Sequence, residues 1–524
     1  MNRQDAPELD QIVVNQLNGY LMEQLEKKPQ SAQSKTAARS VRSRAALPGA
    51  YFSVSPLLTP MATIFAIIWV FFTVNRYFDE PVVVDGDGDI LVSYFGTELL
   101  IAEQGAEHSE PERWLAGTEN PGVVERRAIR YLEKARSLEM LDEQGLSMLA
   151  CLHWRQGDKA SCQKLMGDLP TYELQSTWMI QSLLRGELLE HGEWQFLQRK
   201  IDDETMEWIP FFIVQQAANL QGEKGLPESS AAAMHSQKQQ LLVTQTMLNI
   251  GTWALFLLGV VSCVSLIRAY GLRPVLSTSH QHRLSALGAQ STKGHLPKLW
   301  LLSVGLIVFV TGDLSADFLY TNLWASTPED VSPSGWWFRL FLYDLVFRVM
   351  GVTFLVWMLF GHVGFAWRTF FQPVPKLACW VLAAMSITWG LDLLIYAMPD
   401  TWFAIDPTQV LNPEEYGRMG LVYGIFSGVI LAPICEEIVF RGLLFNILKN
   451  RLGLCAGVLI SSVIFASVHY YGVQDLFAVF VFGAVMAWLY HKTNSLIPGI
   501  LCHALYNLVI TLWTWIIHQS GWGV

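Results

Sequence analysis

Two adjacent glutamates, Glu436 and Glu437, fall inside a long apolar run together with Arg441, in the stretch Pro433-Ile434-Cys435-Glu436-Glu437-Ile438-Val439-Phe440-Arg441-Gly442. An ionisable side chain at membrane depth is costly and is a functional candidate by default. Glu437 and Arg441 are four positions apart, so on a helix they share a face. An Arg guanidinium can hold one carboxylate ionised through a two-pronged contact. Glu436 then points elsewhere and is free to act on a water. Two acids against one base also leave a residual negative charge, which a purely structural ion pair avoids. Pro433 interrupts the helix ladder just before the pair and lets backbone and water approach.

Two further segments place polar groups on apolar helices: Phe465-Ala466-Ser467-Val468-His469 and His503-Ala504-Leu505-Tyr506-Asn507. A lone membrane histidine is more often a hydrogen-bonded packing residue than a catalyst. Three apolar segments that each offer such groups are harder to dismiss. Together they supply a carboxylate base, imidazoles that orient water or share a proton, and an amide that stabilises an oxyanion. Other intramembrane charges read as structural. Asp344 and Arg348 are four apart and pair on one helix face, while Asp313, Asp317 and Asp392 are isolated acids near span ends or in helices.

These groups need a membrane bundle to hold them. Apolar residues make up 52% of the chain and charged residues 16%, against roughly a quarter charged in an average soluble domain. The apolar residues come in long blocks, and a helix needs about 20 of them to cross the hydrocarbon core. Spans are expected at Leu57–Val74, Met247–Ile267, Leu299–Leu319, Trp337–Phe360, Leu377–Met398, Arg418–Leu448, Leu454–Tyr470, Leu476–Tyr490 and Leu496–Ile517, nine in all. The expected fold is therefore all-α: a polytopic transmembrane helical bundle with an extracytoplasmic helical, repeat-like insert.

Charge sets the threading. The chain carries a net charge of −10, yet Lys27 to Arg44 holds six basic residues and no acidic one. That basic run beside the first span puts residues 1–56, a disordered tail, in the cytoplasm. Residues 57–74 then form a retained anchor rather than a cleaved signal, because a long polar leader precedes them. Arg268, Arg273, Arg283, Lys293 and Lys298 cluster on one side with Arg368, Lys376, Lys449, Arg451 and Lys492. The opposite loops carry Glu329, Asp330, Asp400, Asp406, Glu414 and Glu415. The layout suits a bacterial inner membrane protein with its large insert outside.

That insert, residues 78–240, holds about twice as many acidic as basic residues. It opens with an expected hairpin: Val82-Val83-Val84, a turn at Asp85-Gly86-Asp87-Gly88, then Ile90-Leu91-Val92. The Asp-x-Asp-x-Asp run lacks the glycine and closing glutamate of a calcium loop and reads as a polar turn. Ala128, Tyr131, Leu132 and Ala135 then make a helical face. Turns recur at Gln156-Gly157-Asp158, His191-Gly192-Glu193 and Gln221-Gly222-Glu223, loosely like tetratricopeptide-type helical hairpins. Cys151 and Cys162 form a disulfide only if the insert faces an oxidising compartment. Residues 247–376 are further transmembrane helices, and 377–517 form the core that carries the polar motifs.

The three motifs resemble those of the CAAX-protease and bacteriocin-processing (CPBP, or Abi) family of intramembrane peptidases, to which the Ras-converting prenyl endopeptidases belong. The family pattern Glu-Glu-x-x-x-Arg, Phe-x-x-x-His, His-x-x-x-Asn reads here as Glu436-Glu437 with Arg441, Phe465 with His469, and His503 with Asn507, in order and without departure. The likeness covers about Tyr416 to Ile517 and leaves out the N-terminal half. It implies a helical bundle around a polar cavity and an endopeptidase activity. By resemblance, Glu436 activates water with His469 close by, His503 and Asn507 hold the oxyanion, and Glu437 with Arg441 organises the site.

Family members have also been described as metalloproteases. Glu436, His469 and His503 would offer three zinc ligands and an open position, although the compact His-Glu-x-x-His helix is absent. The expectation favours glutamate-activated water with no cofactor, and a divalent metal such as zinc is the alternative. Expected partners are the lipid bilayer, a membrane-associated, lipidated or hydrophobic peptide substrate, and a protein on the outer helical insert, with no nucleic acid. The competing function is a non-catalytic scaffold or receptor that works through the insert. A proton-coupled transporter ranks last, since the later spans show no clear internal repeat.

Overall fold

The computed structural model describes residues 87–139, 141–168, 175–187, 189–190, 192–193, 195–196, 208–221, 228–271, 341–342, 344–349, 351–353, 370–396, 417–469 and 473–519. Among them every regular element is helical. The expected tail, the first anchor, the span at 299–319, most of that at 337–360, Asp313 and Asp317 lie outside the described residues.

Among the described residues the insert contributes seven helices: α1 (Asp87–Ala106), α2 (Glu110–Ala116), α3 (Pro121–Ser137), α4 (Glu143–Arg155), α5 (Lys159–Asp168), α6 (Gln175–Leu184) and α7 (Trp208–Gln221). The second strand of the expected hairpin is not there: Ile90, Leu91 and Val92 belong to α1. A run of apolar side chains continues past them, and Leu91, Phe95 and Leu99 bury one helical face in the core. Local caps fix the short helices. Asn120 accepts the Gly122 N–H at 2.9 Å and Asp142 accepts that of Gly145 at 2.8 Å, satisfying orphan donors of α3 and α4. Gly117, Gly157 and Gly186 take left-handed φ of 67°, 82° and 75° where α2, α4 and α6 end, a conformation that costs glycine nothing. The turn expected at Gly157 is one of these. Cys151 and Cys162 are buried free thiols, so no disulfide joins them.

A charged hub locks the insert. Glu103 receives Lys238 Nζ at 2.6 Å and Trp208 Nε1 at 3.2 Å, and also pairs with Arg155, which reaches Glu125 at 2.9 Å. Burial pushes the Glu103 carboxyl up, but Lys238 and Arg155 outweigh it and hold it below its ordinary value.

Lys238 lies on α8 (Glu228–Tyr270), a helix of 43 residues, ~65 Å long. It runs unbroken through residues 240–247, where the sequence suggested a boundary, and joins insert to bundle. Its lower part crosses α9 (Leu377–Tyr396) at close range. A Cβ on Gly259 would collide with the Leu382 carbonyl oxygen, and the Ser386 hydroxyl donates to the Phe256 carbonyl at 3.0 Å. Small residues let membrane helices approach in this way.

Among the described residues five helices are long and apolar enough to span: His235–Tyr270, Leu377–Ile395, Met419–Lys449, Gln474–Thr493 and Ile497–Ile517. The expected span at 454–470 appears as the shorter apolar helix Leu454–Ser467. The chain is thus a multi-pass membrane protein. The stretch from Gly417 to Leu452 is irregular: α10 (Gly417–Gly424), a π-helical stretch (Ile425–Leu431), α11 (Ala432–Glu436), a second π stretch (Glu437–Phe445) and α12 (Asn446–Leu452). Pro433 sits in the first turn of α11, where its missing N–H deprives the ladder of a donor. Single π turns inside helices often mark functional sites. The bundle continues with α13 (Leu454–Ser467), α14 (Val473–Thr493) and α15 (Ile497–Gln519).

Candidate active site

Three elements bring the motif residues together. The junction of α11 and the second π stretch carries Glu436, Glu437 and Arg441, the residue just past α13 brings His469, and α15 brings His503. Helix α15 is fixed at its start, where the Leu496 N–H donates to the Phe370 carbonyl at 2.7 Å and the Ser495 hydroxyl donates to the Gln372 carbonyl at 2.9 Å.

The expected ion pair is present, with Arg441 Nη1 2.9 Å from Glu437 Oε1. Neither partner reaches solvent: side-chain exposure is 2% for Arg441 and 0% for Glu437, against 16% for Glu436 and 19% for His469. The pair is therefore sealed, and Glu436 and His469 form the open edge of the cluster. The Arg441 guanidinium also lies 4.0 Å from the Phe465 ring centroid, a cation–π contact that a low-polarity interior strengthens. Phe465 meets His469 edge-on at 4.6 Å, and Phe482 meets His503 at 4.8 Å, so aromatic rings fix both imidazoles.

His469 Nδ1 is 2.7 Å from the Phe465 carbonyl oxygen. A carbonyl only accepts, so Nδ1 carries a proton. His469 Nε2 lies 3.8 Å from Glu436 Oε2. His503 bridges the two glutamates, with Nδ1 3.3 Å from Glu437 Oε1 and Nε2 3.8 Å from Glu436 Oε2. Glu436 Oε2 is buried and has no hydrogen-bond partner. It faces two imidazole nitrogens across gaps too wide for a direct hydrogen bond.

Asn507 stands apart from this cluster in its contacts. Its side-chain amide donates to the Gly428 carbonyl at 2.8 Å, in the first π stretch, and leaves one N–H uncommitted by that bond. The neighbouring Tyr506 donates to Asp392 Oδ2 at 2.8 Å, which ties α15 to α9 and gives the isolated acid a partner. Asp344 and Arg348 pair as expected, at 3.2 Å, and Arg348 Nη1 also reaches the Ser427 hydroxyl at 3.2 Å. Sequence reasoning missed Gly499. A Cβ there would lie 2.8 Å from Glu437 Oε2, so the glycine makes room for the sealed carboxylate. Its position one helical turn before His503 was the available signal.

Among the described residues no three His, Cys, Asp or Glu side chains are arranged to hold a metal ion. Glu436, His469 and His503 converge without forming such a site, and one nitrogen of His503 is already turned to Glu437.

The fold and the cluster define a multi-pass membrane protein with a carboxylate–imidazole site enclosed among its helices. Residues 418–509 match the type II CAAX prenyl endopeptidase Rce1-like family. Over 165 residues, 30% of this chain and 88% of the relative, the chain is 33% identical to the UPF0177 protein YxdF of Lactococcus lactis subsp. lactis (strain IL1403). It is 34% identical over 88 residues to the putative membrane peptidase YdiL of Bacillus subtilis (strain 168), and 28% identical over 117 residues to CAAX prenyl protease 2 of Homo sapiens. Those two matches take in 17% and 19% of this chain and span 36% of each relative's length. No solved structure matches. The chain belongs to the Rce1-like family of CAAX-type membrane proteases.

Proposed function

We propose that this protein is an intramembrane endopeptidase that hydrolyses peptide bonds of membrane-associated or hydrophobic substrates with a water activated by Glu436. The observation that carries this reading is the partnerless Glu436 Oε2 facing His469 Nε2 and His503 Nε2 at 3.8 Å each. The two gaps of 3.8 Å beside Glu436 Oε2 are too long for direct hydrogen bonds, and a water is the smallest group that could bridge them.

In the reaction, Glu436 takes a proton from this water as its oxygen attacks the scissile carbonyl carbon. The C–O bond forms and the carbonyl oxygen becomes an oxyanion. The uncommitted N–H of Asn507 stabilises that charge, joined by His503 when Nε2 carries a proton in addition to the one that Nδ1 directs to Glu437. Collapse breaks the C–N bond, and Glu436 returns its proton to the departing amine. Glu437 and Arg441 touch no reacting atom in this scheme. They anchor His503 through Glu437 Oε1 and keep a compensated charge under the site. A positioned general base typically contributes about 10²–10⁴-fold, and an oxyanion donor about 10²–10³-fold. The insert would serve as a recruitment or regulatory module, its helical hairpins forming a tetratricopeptide-like surface.

The test presents a panel of membrane peptides, lipidated and unlipidated, to the purified chain in nanodiscs and reads new termini by mass spectrometry. The Glu436→Gln variant is expected to bind the cleaved peptides with wild-type affinity and to release no product. Equal product from both proteins would sink the assignment of Glu436, and no product from either would leave the scaffold reading in its place.

A further inference from the structure

Helix α2 presents a hydrophobic end to its surroundings. Trp114 is 66% exposed and Leu115 42%, and large side chains so open in a soluble module need an explanation. Three observations set their level. The Trp114 ring lies 5.4 Å from that of Trp253 on α8, and Trp253 in turn contacts Phe256. The Asn249 amide donates to the Leu115 carbonyl at 2.8 Å. No charged residue occurs on α8 between Lys238 and Arg268.

The hydrocarbon core is about 30 Å thick, or about 20 helical residues. With Arg268 at one headgroup layer, counting back along α8 brings the opposite boundary to about Leu248. Asn249 therefore lies at the membrane surface on the insert's side and Trp253 about 7 Å inside it, and the contacts above hold Trp114 and Leu115 at that same level. The outward face of α8 is continuous with them: Met247, Ile250, Leu257, Leu258 and Val261 are all exposed on this span. Indole rings favour this boundary, where the ring is shielded and the N–H stays wet.

We propose that α2 is a membrane foot. Its Trp114–Leu115 end sits in the boundary between lipid headgroups and acyl chains and holds the insert down on the bilayer. Glu110 and Glu112 lie at the opposite end, where Ser109 donates its N–H and hydroxyl to Glu112, and Arg113, in the last turn beside Trp114, reaches back to Glu110 at 3.9 Å. Their net charge is negative, so the seat is apolar and does not rest on attraction to anionic lipid. The occupant is the bilayer that the neighbouring span already crosses.

A nitroxide label on Leu115→Cys, in the full chain in phosphatidylcholine nanodiscs, reads this directly through its collisions with oxygen and with a water-soluble nickel complex. Leu258→Cys gives the lipid reference and the exposed Ser137→Cys the aqueous one. The label at 115 should show an oxygen-to-nickel ratio several-fold above that at 137, approaching that at 258 and insensitive to high salt. A ratio like that at 137 overturns the proposal. Protection from both reagents also overturns it, because a second copy or another protein would then cover the patch.

Discussion

His503 Nδ1 and Glu437 Oε1 lie 3.3 Å apart, although 66 positions separate the two residues in the chain. This contact links the helix that carries His503 to the sealed Glu437–Arg441 pair. It also turns the other nitrogen of His503 toward Glu436. The ion pair thus supports the imidazole rather than merely neutralising itself.

Removing half of that pair should be costly. Arg441→Met leaves Glu437 as an uncompensated buried charge, and breaking buried pairs in this way typically costs about 3–5 kcal/mol. A large drop in apparent melting temperature in nanodiscs is expected, together with loss of cleavage. Adding Glu437→Gln should recover most of the melting temperature without restoring full cleavage, since His503 loses its charged anchor. Wild-type melting in the single variant would show that the pair carries no such weight.

Gly499 should be intolerant of even one carbon. Alanine favours a helix over glycine by about 1 kcal/mol, so Gly499→Ala ought not to unfold α15. The added carbon would still press on Glu437 Oε2, 2.8 Å away, and shift the carboxylate that holds His503. A displacement of about 1 Å in a catalytic constellation costs on the order of 10²-fold. A large fall in kcat with little change in melting temperature is expected; unchanged kcat would mean that the carboxylate has room to move.

In the insert, desolvation pushes Glu98 from its ordinary 4.5 up to about 7, with Arg127 opposing the shift and Glu119 adding to it. The folded state therefore binds a proton more tightly than the unfolded one, and stability falls as pH rises from about 4.5 through about 7. Hydrogen exchange of the α1 amides, corrected for intrinsic rates, should show greater opening at pH 8 than at pH 5.5. Glu98→Gln should remove this component; a Gln variant with the wild-type pH difference would contradict it.

The α8–α9 crossing is the mechanical joint between insert and bundle. Gly259→Leu places side-chain atoms where the Leu382 carbonyl and Ser386 now sit, and overpacking of this kind costs about 1–3 kcal/mol. Lower melting temperature is expected, with the insert's own core unaltered by hydrogen exchange. A neutral result would show that the helices separate freely.

The chemistry was more legible in the sequence than the scaffold. Glu436, His469 and His503 stand out because ionisable groups in apolar runs have few innocent explanations, and the i, i+4 spacing of Glu437 and Arg441 foretold their contact. The role of Gly499 was hinted at only by its place one turn before His503, because steric room is a property of two helices facing each other. The strand expected at Ile90-Leu91-Val92 failed for a related reason: a short apolar run has no period of its own, and tertiary burial on α1 decided it. The bond from the Asn507 amide to the Gly428 carbonyl lies in a π stretch, and no sequence pattern announces a π turn.

The measurement that bears most directly on the central claim is cleavage of an identified membrane peptide by wild type and Glu436→Gln, each with and without a strong chelator. A glutamate-activated water predicts that wild type keeps its rate in chelator while Glu436→Gln falls by about 10²–10⁴-fold. Loss of wild-type cleavage in chelator, restored by added zinc, would contradict that account and make Glu436, His469 and His503 ligands instead.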